Sequence, residues 1–133
     1  MLLVAVSNKS VAHELFKSTV FTPVNGFTSG VEEPIVDNSG IIYAVNFNHQ
    51  GTIGQLSPKD AASVFIELTG GSIGNVIRFD RHGNMFIADY TNHNVLKLEM
   101  STKKLTVFAH ESRMHQPNDI AIDSKDNIYA SDP

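Results

Sequence analysis

Pro34-Ile-Val-Asp-Asn-Ser-Gly-Ile-Ile-Tyr-Ala-Val-Asn46, Val76-Ile-Arg-Phe-Asp-Arg-His-Gly-Asn-Met-Phe-Ile-Ala-Asp89 and Asp119-Ile-Ala-Ile-Asp-Ser-Lys-Asp-Asn-Ile-Tyr-Ala-Ser-Asp132 are three versions of one pattern. Asp37, Asp80 and Asp123 stand 43 residues apart, as do Gly40, Gly83 and Asp126, and the aromatics Tyr43, Phe86 and Tyr129. Asn46, Asp89 and Asp132 close the segments at the same interval. The pairs Val20-Phe21, Val64-Phe65 and Val107-Phe108 recur at 44 and then 43 residues. A fixed period of this length marks a stacked repeat architecture.

Within each unit the chemistry is that of short strands. Asp-x-x-Gly is turn chemistry, because aspartate bonds its own backbone and glycine accepts a positive φ. An apolar run rich in branched and aromatic residues follows, as in Met85-Phe-Ile-Ala88. The polar stretch Tyr90–Asn94 then turns into a third strand over Val95–Met100, and Ser101–Lys104 turns into a fourth over Leu105–Ala109. Four antiparallel strands in about 43 residues make one blade of a β-propeller. The pattern therefore predicts an all-β propeller, one domain. It divides into an N-terminal segment over 1–30 with the outer strand of a preceding blade, blades over 31–71 and 72–111, and a partial blade over 112–133. Thr69–Gly74 reads as a connection between blades, and Ser10–Lys17 as a short helix.

The third unit stops after two strands at Pro133, and blades need neighbours on both faces. The expectation is an N-terminal piece of a larger ring; the alternative is self-association, in which two copies complete one another.

Composition bounds the partners. The 133 residues are 41% hydrophobic and 18% charged, with a formal net charge of −4. Without a basic surplus, nucleic acid is not the expected partner. No apolar run reaches the length of a membrane span, and Met1–Val6 lacks the basic start and length of a secretory signal. The chain has no cysteine, so disulfides and thiolate metal sites are excluded, and a cytoplasmic location is the expectation.

The 43-residue interval also aligns the polar position before each first strand: Glu32, Asn75 and Asn118. In a propeller these would converge near the axis. Oxygen donors gathered there suit a hard cation such as calcium, which takes about six to eight oxygens. An asparagine before a strand can equally serve as a turn cap, and spacing does not name the metal.

Three stretches resemble the senescence marker protein / gluconolactonase / luciferin-regenerating enzyme family of six-bladed propellers. Glu32-Glu33-Pro34 resembles that family's Glu-Gly-Pro motif. Ser72–Gly83 resembles its asparagine-glycine-apolar segment. Gln116-Pro-Asn-Asp119, continuing to Tyr129-Ala-Ser-Asp-Pro133, resembles its Pro-Asn-Asp segment. The resemblance runs from about Phe21 to Pro133 and covers the N-terminal half of such a domain. It implies a metal-dependent hydrolase that opens a lactone or sugar-acid ester with metal-activated water. Glu32 and Asn118 become metal ligands, for calcium first, with zinc or magnesium as alternatives. Asn75, Gln116, His115 and Glu33 become substrate or channel contacts. Glu33 and Val76 replace family glycines, and Gln116 stands where some members carry arginine. The general base falls in later blades, so no catalytic residue is named on this chain, and the chain alone is expected to be inactive.

A second class of reading stays open. Gly83–Leu96 also resembles NHL-type repeats, whose propellers act as binding platforms. The remaining conspicuous residues have plainer readings. His13, His49, His82, His93, His110 and His115 show no metal-binding spacing, and His82 and His93 fall in turns where solvated imidazoles are expected. Asp119 is expected to fix its turn, Asp89 and Asp132 to bond loop backbone, and Phe65, Phe86, Phe108 and Tyr129 to lie in the core.

Overall fold

A computed structural model describes residues 30–57 and 61–133. The predicted helix at Ser10–Lys17 and the outer strand at Val20-Phe21 lie outside these residues. Among the described residues there is no helix, and therefore none long and apolar enough to cross a membrane.

Strands β1 (Glu32–Val36), β2 (Ile42–Val45), β3 (Thr52–Leu56) and β4 (Ser63–Glu67) form one antiparallel sheet in chain order. Strands β5 (Gly74–Phe79), β6 (Met85–Asp89), β7 (Asn94–Glu99) and β8 (Lys104–His110) form a second in the same order. The last described pair, β9 (Ile120–Ile122) and β10 (Ile128–Ala130), forms a two-stranded sheet. These are consecutive propeller blades. The predicted third and fourth strands of the middle blade differ from β7 and β8 by one residue at each end.

The repeat is reproduced in its hydrogen bonds. Asp37 Oδ1 accepts the N–H groups of Ser39 and Ile41, Asp80 Oδ1 those of His82 and Asn84, and Asp123 Oδ1 those of Lys125 and Asn127. Behind each aspartate the backbone closes in the same way. Gly40 N donates to Asp37 O at 3.0 Å, Gly83 N to Asp80 O at 3.0 Å, and Asp126 N to Asp123 O at 3.1 Å. The closing residue has φ of 83°, 80° and 63° in turn. Glycine meets that requirement freely, whereas Asp126 adopts a left-handed conformation that L residues disfavour. Arg81 of the preceding blade reaches its carboxylate at 2.7 Å.

Two apolar layers separate the sheets. Tyr43, Val45, Ile53, Ile77, Met85, Ile87 and Leu98 fill the space between the first and second blades. Val76, Phe86, Ala88, Val95 and Ile120 fill the space between the second blade and β9–β10. Val76 and Ile77 are neighbours in β5 and point to opposite layers, so the middle blade is covered on both faces. This is why Met85-Phe-Ile-Ala88 is a continuous apolar run and does not alternate. Each fully buried aliphatic side chain here stabilises the stack by roughly 1.5–3 kcal/mol.

Two aromatics expected in the core are not there. Phe86 is buried and meets Phe108 edge-on at 5.2 Å, yet Phe108 is 53% exposed and Tyr129 is 59% exposed. Their counterparts one and two repeats earlier explain the difference. Phe65 is covered by Lys103 of the next blade, its ammonium 3.1 Å from the ring centroid, and Tyr43 packs on Phe65 and on Phe79 of the next blade. Among the described residues, Phe108 and Tyr129 have no such following strands against them.

Candidate functional site

The first strands of the sheets approach one another, β1 against β5 and β5 against β9, so residues at their heads share one region. Two of these heads, those of β1 and β5, are distorted. The pairing of β1 with β2 slips between Glu32 and Ile35, and that of β5 with β6 slips between Gly74 and Val76. Bulges of this kind re-aim side chains at the end of a ladder. Glu33 lies inside the first and has φ of 47°, the left-handed region. It occupies the place of the glycine in the resembled motif, and pays with strain for the side chain it gains.

Asn75 and Asn118 are brought together. The Asn75 side-chain amide donates to the backbone carbonyl of Asn118 at 3.3 Å and also to its side-chain oxygen. Asn118 is held from behind, its N–H donating to Ser131 O at 3.0 Å. Glu32 is exposed at the head of β1, in register with both, and makes no side-chain hydrogen bond among the described residues.

His115 and Gln116 are placed by their backbones. The Asp132 carboxylate accepts the His115 N–H at 2.8 Å and the Gln116 N–H at 2.7 Å, and both side chains are exposed. These bonds, that from Gln116 first, hold the Asp132 carboxyl below its usual range. One repeat earlier Asp89 does the same work in a buried setting. It accepts the Ser72 hydroxyl at 2.6 Å, the Ile73 N–H at 3.2 Å and the Asn94 amide at 3.1 Å. Burial alone would raise its carboxyl, but the bonds from Ser72, Asn94, Thr91 and Asn92 outweigh it, and the group titrates low.

One charged residue was missed by sequence reasoning. Arg78 in β5 donates from one terminal nitrogen to Glu33 Oε2 at 3.3 Å and from the other to Asp119 Oδ1 at 2.7 Å. Glu33 and Asp119 occupy one register position two repeats apart, each directly after an axial candidate. That recurrence of acids around a lone basic residue was the available signal. Asp119 also accepts the N–H of the next residue, Ile120, at the entry to β9, as well as pairing with Arg78; no turn is formed there for it to fix.

His93 is not the solvated imidazole expected of a turn. It is half-buried, and its ring nitrogen Nδ1 is bonded to the carbonyl of Met114, because the following loop folds back over it. His82 is exposed, 3.5 Å from Asp126.

The donor set can be weighed against a metal. Among the described residues no group of three or more His, Cys, Asp or Glu is placed to hold one. Glu32 and the amide oxygens of Asn75 and Asn118 are hard donors, suited in kind to calcium. They are fewer than the roughly six to eight oxygens it takes, so water or further side chains would complete the shell.

No protein-family model matches the chain, and no curated protein matches it. Among solved structures, virginiamycin B lyase from Staphylococcus aureus is similar, with a TM-score of 0.65 at 9% identity. The match covers 77% of this chain and 34% of that one, so the chain spans about a third of the length of its structural relative. The likeness is one of fold: a β-propeller.

Proposed function

We propose that this chain is part of a metal-dependent propeller hydrolase that opens a lactone or sugar-acid ester. The observation that carries the reading is the meeting of Asn75 and Asn118 at the heads of adjacent first strands, with Glu32 in the same register on the third. The motifs around Glu32 and Asn118, which resemble those of gluconolactonases, supply the substrate class.

Glu32 and Asn118 would hold the cation, which would supply Lewis-acid chemistry for an ester carbonyl and a more acidic water. Glu32 contributes the charged oxygen, and Asn118 a neutral one whose direction is held by the Asn75 amide, a bond worth about 0.5–1.5 kcal/mol. Gln116 and His115 stand on a segment fixed by Asp132 and face solvent, where substrate hydroxyls would be met. No group of the described residues is assigned as general base, so the chain alone is expected to bind metal without turning over a lactone.

Calorimetric titration of the chain with calcium tests the reading. Binding that disappears in Glu32→Ala and in Asn118→Ala supports it. A folded chain that takes up no calcium, or whose uptake ignores both substitutions, overturns it and returns the choice to a binding platform.

A further inference from the structure

We infer that Arg78 is a positioning residue for the axial site: it sets the separation of Glu32 and Asn118 for a hard divalent cation by holding the residue that follows each. The inference rests on reading those two side chains as oxygen donors.

The geometry is that of a brace across three blades. The Arg78 terminal nitrogens reach Glu33 in the first blade at 3.3 Å and Asp119 in the third at 2.7 Å. The nitrogen bonded to Glu33 also donates to the Ile77 carbonyl at 2.8 Å, which ties the guanidinium to its own strand. A planar fork of fixed geometry can hold two carboxylates at a set span, whereas an ammonium is a single point charge. Glu33 most needs such a hold. It sits in a bulge with φ of 47°, and the direction of the adjoining Glu32 follows from that turn.

Stability does not account for the brace. All three side chains are substantially solvent-accessible, and ion pairs in that setting contribute little to folding. The stack is already secured by buried apolar layers on both sides of β5. What the brace fixes is the placement of the head of β1, which carries Glu32, relative to the segment leading into β9, which carries Asn118. Charge fits the same ligand: three carboxylates, Glu32, Glu33 and Asp119, against one guanidinium leave a formal excess of two negatives, matched by one divalent cation.

The sign of one experiment separates positioning from simple charge. Arg78→Met removes a positive charge beside the site, so electrostatics alone would tighten calcium binding. Loss of positioning weakens it instead, by about tenfold, as for other residues that orient metal ligands. Calcium titration of the 133-residue chain is therefore compared with Arg78→Met and with Arg78→Lys. The lysine variant keeps the charge and loses the fork, and it guards against misfolding of the methionine variant. The expected result is weaker binding in both, with melting temperatures near that of the parent. Unchanged or tighter binding in Arg78→Met, or full affinity in Arg78→Lys, overturns the inference and leaves the metal reading standing. Absence of calcium binding in the parent chain, or binding that ignores Glu32→Ala, overturns both.

Discussion

Tyr43 and Tyr129, two repeats apart, make the same hydrogen bond in opposite surroundings. Each hydroxyl donates at 3.4 Å to the second oxygen of its turn aspartate, Asp37 or Asp123, but Tyr43 is 3% exposed and Tyr129 59%. Burial, helped by the charge of Asp37, pushes the Tyr43 phenol up to about 12. The contrast measures what a following blade contributes. Tyr43→Ala is expected to cost about 3–5 kcal/mol in urea denaturation, as for other buried aromatics. Tyr129→Ala is expected to change stability by less than about 0.5 kcal/mol. Equal losses at the two positions would mean that the open face of β9–β10 is covered in solution.

Asp89 and Asp132 give a second pair of positions with one role and different burial. Asp89→Asn sets an NH2 group against the Ser72 hydroxyl and the Asn94 amide, which both donate to Asp89 Oδ2, and leaves a buried donor without an acceptor. A loss of about 2–3 kcal/mol is expected. Blade one already carries the amide at this register: Asn46, whose side-chain oxygen is buried without a partner among the described residues. Asp132→Asn is expected to cost less, because water reaches its donors. The check is chemical denaturation of each variant beside the parent.

Acid should unfold the chain through its aspartates. The carboxyls of Asp80, Asp89, Asp123 and Asp132 are all held below their ordinary values in the folded state. A lowered folded pKa gives stability that is present above the unfolded value, about 3.9, and lost as pH falls through the folded one. The melting temperature is thus expected to be level from neutral pH to about 5 and to drop below about 4. A level profile down to pH 3 would contradict the hydrogen-bond scheme of the turns.

The turn closures make a sharper test of backbone conformation. Gly83→Ala forces a side chain into φ of 80° and is expected to cost about 1–2 kcal/mol, although its Cβ would meet no neighbour within 4 Å. Asp126→Gly relieves the same strain and gives up the pair with Arg81, whose guanidinium is exposed and whose partner carboxylate is half-buried, so the two effects largely cancel, to within about 1 kcal/mol. Thermal denaturation of both variants reads the difference. A large loss in Asp126→Gly would assign the ion pair more weight than its exposure allows.

Much of the fold was legible because the repeat is written at positions where backbone chemistry leaves little choice. Asp37, Asp80 and Asp123 recur because each organises a turn through one carboxylate oxygen, and Tyr43 and Phe86 because each meets a ring of its own blade's fourth strand. Phe108 misled for the same reason. Its register is that of Phe65, but burial depends on a neighbouring element, which periodicity does not contain. At the candidate site, the register of Glu32, Asn75 and Asn118 was visible, and so was the recurrence of acids at Glu33 and Asp119. The brace through Arg78 was not. Its centre, Arg78, aligns with Ile35 and Ala121 and so has no counterpart in the neighbouring repeats, and a comparison of like with like passes over such a contact.

The bonds of each Asp-x-x-Gly turn all close within one repeat, from the aspartate to the residues just after it. A gene duplication that copies 43 residues therefore copies a finished turn, with no donor or acceptor left waiting for a distant partner. A blade added this way arrives with its turn complete, and what remains to be fitted lies between neighbours: the apolar faces and the few polar contacts that cross them, such as those of Arg78 and Arg81.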